Sequence, residues 1–307
     1  MMKFTRTLLL LASLSVATWA DAQKVSFEGL KKVNGNELYF KVEGEGEPIL
    51  ILQGGPGMNM EYIEPHFKEL AKTNKLIFFD PRSTGKSEIP DDTMGTMHQY
   101  LVEDIEGIRK AFGIKKLNLL GHSWGAKMAI LYAFKYPANV KSMILCSAAP
   151  LSHEYDSVQV AFHDKMSKKP ELQDKRMEII QRHISKIEIQ QRLAFMYSLY
   201  NFMDIDKIAL TYPPNYGDAQ IALFRGLYYD YKKYDSDLYP FVNKIKIPSL
   251  VVHGDADMLP VQASEKLAKS LGNATLVRFD KSGNFPFMEE PERFAKLAHD
   301  FIVKQKQ

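Results

Sequence analysis

Five residues, Gly121-His-Ser-Trp-Gly125, constrain this chain more than any other stretch. They follow directly on an apolar run, "KLNLL" (116–120), and lead directly into a helical pattern over 124–136. Gly-x-Ser-x-Gly in that context predicts a sharp strand-to-helix turn that lifts the Ser123 hydroxyl above the edge of a sheet. Strand and helix approach so closely at such a turn that only small residues fit at 121 and 125. The Trp124 N–H then sits at a helix N-terminus, aimed at developing negative charge, as one donor of an oxyanion hole.

The rest of the chain supplies the sheet that such a turn needs. "ELYFKV" (37–42) reads as a strand at the surface of a sheet. "PILIL" (48–52), "KLIFF" (75–79), "KLNLLG" (116–121), "VKSMILC" (140–146), "SLVVHG" (249–254) and "ATLVRF" (274–279) read as further strands. Several are continuous apolar runs, as expected where both faces of a parallel sheet are covered. Helical patterns at about 61–72, 98–112, 124–136, 262–271 and 291–304 lie between them. The alternation predicts an α/β fold, with a mostly parallel sheet and helices on both faces. It breaks from 151 to 243, where "LQDKRMEIIQRHISKIEIQQRLAFMYSLY" (172–200) and "DAQIALFRGLYYDYKKY" (218–234) are helical and rich in Tyr and Phe. We read 151–243 as a helical cap inserted into a core formed by 23–150 and 244–307.

A second motif, "QGGPG" (53–57), follows the strand at 48–52. Its glycines let backbone amides come close to a ligand, and Gly55 is the expected second oxyanion donor. A tight loop with no ligand is the alternative. "GKS" (85–87) is no phosphate loop, because the glycine that pattern requires at 80 is Asp80.

Together "QGGPGMN", "DPRSTGKS" (80–87), "GHSWGA" and "HGDADMLP" (253–260) resemble the α/β-hydrolase fold, and within it the proline iminopeptidase family of serine aminopeptidases. The likeness covers about 25–150 and 244–304; the cap matches only in position and helical character. Gln53 stands where the family has His, and Pro81 and Ser83 also depart. The resemblance implies a core with an inserted helical cap, an acyl-enzyme on Ser123 and release of an N-terminal residue, often proline, with neither metal nor organic cofactor. It implies Asp257 as the triad acid, by the family's Gly-x-x-Asp spacing from Gly254. Asp255 is the runner-up, read as a turn residue bonding its own backbone.

The family's base lies in the phrase Ser-Gly-His-x-Pro. This chain has Ser282-Gly283-Asn284-Phe285-Pro286, so Asn284 occupies the histidine position. A carboxamide has no basic nitrogen and cannot take a proton from serine near neutral pH. Of the eight histidines, His153 is the candidate substitute base, because it enters the cap near the C-terminal edge of the strands, where open α/β sheets place their sites. His122 belongs to the elbow and is expected to point away. His253 is read as structural and His299 as a solvated helix residue. Three functions stay open: a hydrolase of the family type, an esterase, and a binding protein with little or no turnover. An aminopeptidase must neutralise the substrate's ammonium. Met258 supplies no charge beside Asp257, which leaves Glu188, Asp204, Asp206, Asp218 and Asp230 of the cap.

The N-terminus is a separate element. Lys3 and Arg6, the apolar run 8–20 and "ADA" (20–22) read as a signal peptide cleaved after Ala22. A periplasmic or secreted protein is expected, with no membrane association after cleavage. Cys146, the only cysteine, can form no internal disulfide and reads as a small buried hydrophobe. A net charge of +3 over 307 residues does not suggest nucleic acid. The expected partner is a small peptide, or a small ester or amide substrate. The sequence assigns no oligomeric state.

Overall fold

The structure is a computed structural model that describes residues 25–55, 58–90, 97–170, 173–174 and 237–305. The predicted signal peptide and most of the predicted cap, including its five candidate carboxylates, lie outside the described residues.

Eight strands form one sheet: β1 (Val25–Val33), β2 (Asn36–Glu43), β3 (Glu47–Leu52), β4 (Asn74–Phe79), β5 (Leu117–His122), β6 (Val140–Cys146), β7 (Ser249–Gly254) and β8 (Ala274–Phe279). Their order is β1-β2-β4-β3-β5-β6-β7-β8. β1 and β2 pair antiparallel, as do β2 and β4, and every other neighbouring pair is parallel. From β3 the chain steps to β4 on one side and later to β5 on the other. The carboxyl ends of β3 and β5 therefore flank a point where the winding reverses, the usual place for a ligand in such a sheet.

Alternate residues of each central strand enter two separate cores. Leu50, Leu52, Leu119, Met143, Leu145 and Val251 pack on one face with the helices Met97–Ala111, Trp124–Lys135 and Val261–Leu271. Ile49, Ile51, Leu120, Ile144, Leu250 and Val252 pack on the other with the segment 60–71 and the helix Pro291–Lys304. Burial on both faces is why these strands read as unbroken apolar runs. Cys146 is buried in the second core, as its small apolar character predicts.

Two expectations need correction. The segment 61–72 is not one helix: 3-10 turns at Met60–Tyr62 and Glu64–His66 precede a short helix, Lys68–Ala71. Pro65, near the start of the second turn, has no N–H to continue a helical ladder. The other is the number of strands: β1 lies outside the runs that read as strands in the sequence. No helix among the described residues is long and apolar enough to cross a membrane.

Candidate active site

Ser123 joins β5 to the helix Trp124–Lys135, with φ 51° and ψ −115°. That backbone is uncommon for a residue with a side chain, and at an elbow it turns the hydroxyl out of the sheet. The half-buried serine is anchored by its N–H, which donates to the Cys146 carbonyl at 2.9 Å, and by its carbonyl, which accepts from Ala149 N–H at 3.0 Å. The small-residue rule has a direct cause. A Cβ on Gly125 would lie 2.1 Å from the Leu52 carbonyl oxygen, and one on Gly121 would lie 2.5 Å from the Ala126 nitrogen.

The loop after β3 lies beside this turn. Gly55 has φ 122°, closed to most side chains. Gln53 fills the family's histidine position by donating its carboxamide to the Phe79 carbonyl at 2.8 Å, which ties the loop to β4. Buried Asp80 accepts from Met60 N–H at 2.9 Å and Lys86 N–H at 2.8 Å. Burial raises its pKa above the usual carboxylate range. Ser83, where the family has glycine, sits at φ 63°. An apolar cavity of about 20 Å³, room for one water-sized group, lies between Gly54, Met58, Pro81, Leu101, Trp124 and Met128.

The loops after β7 and β8 bring Asp257 and Asn284 together. Asp255 N–H donates to the Phe279 carbonyl and Ala256 N–H to the Ser282 carbonyl, which knits the two loops. Asn284 Nδ2 lies 3.2 and 3.1 Å from the two carboxylate oxygens of Asp257, and Asp257 also accepts from Leu259 N–H at 3.1 Å. Glu289 accepts from Gly283 N–H at 2.7 Å, and Glu290 accepts from the Ser282 hydroxyl at 2.8 Å. These carboxylates hold the loop that carries residue 284. Asp255 points elsewhere: its carboxylate takes the Arg278 guanidinium at 2.7 Å. That ion pair, not a bond to its own backbone, is what occupies it and lowers its pKa.

The histidines fall differently from expectation. His122 does not point away from the site. Its Nε2 lies 3.0 Å from the Asn284 backbone carbonyl and 3.2 Å from Asn284 Oδ1, and its Nδ1 lies 2.9 Å from the Tyr62 hydroxyl. Burial, with Phe285 and Phe287 against the ring, pushes its pKa down to about 4. His253 is buried with Nδ1 3.0 Å from the Ser264 hydroxyl, in keeping with a structural role. His299 is half-buried and bonds Asn74 Oδ1 at 3.0 Å, so it is not merely solvated. His153 starts a 3-10 turn, with Nδ1 2.8 Å from the Asp156 carboxylate. Among the described residues, neither His153 nor the Asn284 side chain makes a hydrogen bond to the Ser123 hydroxyl.

A winding reversal at the carboxyl ends of β3 and β5, with a strained serine elbow at the end of β5, defines a class of protein. Residues 47–291 match the alpha/beta hydrolase fold, and the chain belongs to that family. Within it, the chain is similar to a proline iminopeptidase of Saccharolobus solfataricus, with 28% identity over 298 residues, 90% of this chain and 92% of that one. It is also 28% identical over 295 residues to a proline iminopeptidase of Heyndrickxia coagulans, 90% of this chain and 98% of that one. The solved structure of an alpha/beta fold family hydrolase from Bacillus anthracis superposes with a TM-score of 0.69, at 22% identity over 91% of this chain and all of that one.

Proposed function

We propose that the protein is an exported serine hydrolase of the proline iminopeptidase type, with low native turnover. It would act on N-terminal, proline-like residues of small peptides through an acyl-enzyme. The observation that carries this reading is the backbone of Ser123, held at φ 51° between β5 and the helix Trp124–Lys135. The relatives named proline iminopeptidases point to the same reaction type.

In this reading the Ser123 oxygen attacks the scissile carbonyl carbon. The amides of Gly55 and Trp124 stabilise the oxyanion, and Asp257 orients residue 284. The serine proton is where the scheme is weak. Asn284 has no lone pair basic enough to accept it, and its carbonyl oxygen takes a hydrogen bond from His122 instead. Attack then has to proceed without a base held at 284. Loss of the base in a related triad lowers kcat by about 10⁶-fold, leaving ~10³–10⁴ over water from oxyanion hole and binding.

The second reading is a binding protein that keeps the pocket with little or no turnover, and Asn284 favours it. An esterase is the third, since Met258 gives Asp257 no acidic neighbour for a substrate ammonium. One experiment separates them: turnover of proline naphthylamide and of a short acyl ester by wild type, Ser123→Ala and Asn284→His. Serine-dependent cleavage of the proline substrate supports the first reading. Ester cleavage alone supports the third. Binding of proline peptides with no serine-dependent turnover in either wild type or Asn284→His supports the second. Export is tested by sequencing the N-terminus of protein from its native host, where Gln23 is expected.

A further inference from the structure

Tyr62 and His122 lie 60 residues apart, and His122 and Asn284 are separated by 162. The fold nevertheless joins them in one buried chain of hydrogen bonds. Its polarity follows from which atoms can only accept. The Asn284 backbone carbonyl, 3.0 Å from His122 Nε2, has no proton to give, so Nε2 carries the hydrogen. Neutral His122 then has an accepting Nδ1, and the Tyr62 hydroxyl must donate to it across 2.9 Å. The Tyr62 oxygen in turn accepts from Gly54 N–H, in the loop that precedes Gly55. At the other end His122 Nε2–H also reaches Asn284 Oδ1 at 3.2 Å, which leaves the Asn284 nitrogen to face Asp257. Every bond therefore points the same way, from the Gly54 amide through Tyr62, His122 and Asn284 to the Asp257 carboxylate.

We propose that Tyr62 and His122 are positioning residues that couple the oxyanion loop to residue 284 and fix which way its side chain faces. The proposal rests on the hydrolase reading for its kinetic consequence, but not for its geometry. His122 does not accept the serine proton; its Nε2–H is committed to Asn284. Its contribution is to hold the backbone of 284 through a bond that any residue there would keep. Gly54 has no room for a different arrangement, since a Cβ there would lie 2.9 Å from the Tyr62 oxygen and 3.0 Å from His122 Nδ1.

The test uses the full chain labelled with ¹⁵N at histidine, asparagine and glycine. In wild type, His122 should show one neutral tautomer, with hydrogen on Nε2. Tyr62→Phe should move both the Gly54 amide and the Asn284 side-chain amide resonances. Movement of the Gly54 resonance alone, or a hydrogen on Nδ1, would overturn the relay. The kinetic arm uses Asn284→His as its parent. There His122→Phe should lower kcat by ~10–100-fold with KM within about 2-fold, as for a modest misplacement of reacting groups. His122→Gln, which keeps an N–H donor, should restore kcat to within ~3-fold of the parent. Equal losses in Phe and Gln variants, tracking thermal stability, would reduce His122 to a packing residue and overturn the proposal. If Asn284→His has no turnover at all, the hydrolase reading fails, and the labelled-nitrogen result alone decides the relay. Should Tyr62→Phe not fold, His122→Phe, which keeps an aromatic ring but removes the N–H, is read by the same resonances: the Asn284 side-chain amide should move, and an unmoved resonance overturns the relay.

Discussion

The side-chain nitrogen of Asn284 sits 3.2 and 3.1 Å from the two carboxylate oxygens of Asp257. That contact has the polarity a triad needs at its far end, a carboxylate receiving an N–H. An imidazole at 284 would offer Nδ1–H to the same oxygens, and its longer ring would carry Nε2 on past the reach of a carboxamide.

Asn284→His should therefore raise kcat on an activated ester by at least ~10²-fold, a conservative share of the acid–base contribution. Wild type and His153→Ala should differ little, because His153 is held by Asp156 and makes no bond to Ser123 among the described residues. If His153 were the working base, its removal would abolish wild-type activity and Asn284→His would add little. Initial rates of the three proteins on one substrate distinguish these outcomes.

The two aspartates should part company in the same background. Asp257→Ala combined with Asn284→His should return kcat to within ~10-fold of the wild-type chain, since an unoriented imidazole gains little. Asp255→Ala should leave kcat within ~3-fold, because its partly exposed carboxylate serves an ion pair with Arg278 of small energetic worth. Equal losses with folding intact would refute the assignment.

Acid should weaken the fold through His122. Burial holds it neutral down to about pH 4, whereas an unfolded histidine protonates near pH 6.5. Between those values the unfolded chain binds the extra proton, so stability falls as pH drops from about 6.5 to about 4. The loss from this group is on the order of 3 kcal/mol and stops below pH 4. His253, also lowered by burial, acts in the same direction. Urea midpoints at pH 7 and 4.5 should fall less in His122→Gln than in wild type.

A second stability test lies in the loop after β4. Arg82 donates to both oxygens of Asp104, at 2.8 and 2.6 Å, with both side chains buried. Asp104→Ala strands the guanidinium and should cost about 3–5 kcal/mol, whereas replacing both partners with apolar residues should cost much less. Denaturant titration of single and double variants measures the difference.

Much of the fold and part of the site are legible in the sequence. β3, β5 and β6 read as strands because both faces are buried, and burial of that kind leaves an apolar run in the sequence. β1 left no such mark: Gly29 interrupts it, and most of its side chains are exposed on an outer strand. The segment 61–72 misled because apolar spacing persisted through Pro65, whose missing N–H the spacing does not register. At the site, Ser123, Asp257 and Asn284 are tied to local phrases and could be placed by them. Tyr62 and His122 could not, since their pairing is made by the sheet's winding and leaves no short-range pattern. Gly-x-Ser-x-Gly marks the serine and says nothing of the histidine inside it.

The φ of 51° at Ser123 has one more consequence. Glycine occupies such a backbone freely, while a residue with a Cβ does so at a penalty of about 1–3 kcal/mol. Ser123→Gly should thus be a more stable protein than the natural one, reachable by a single substitution. A lineage that needed only the folded scaffold would have an easy downhill exit at this position. In this chain the hydroxyl therefore comes at a cost to the fold, and Ser123→Gly against wild type in one denaturant titration measures how large that cost is.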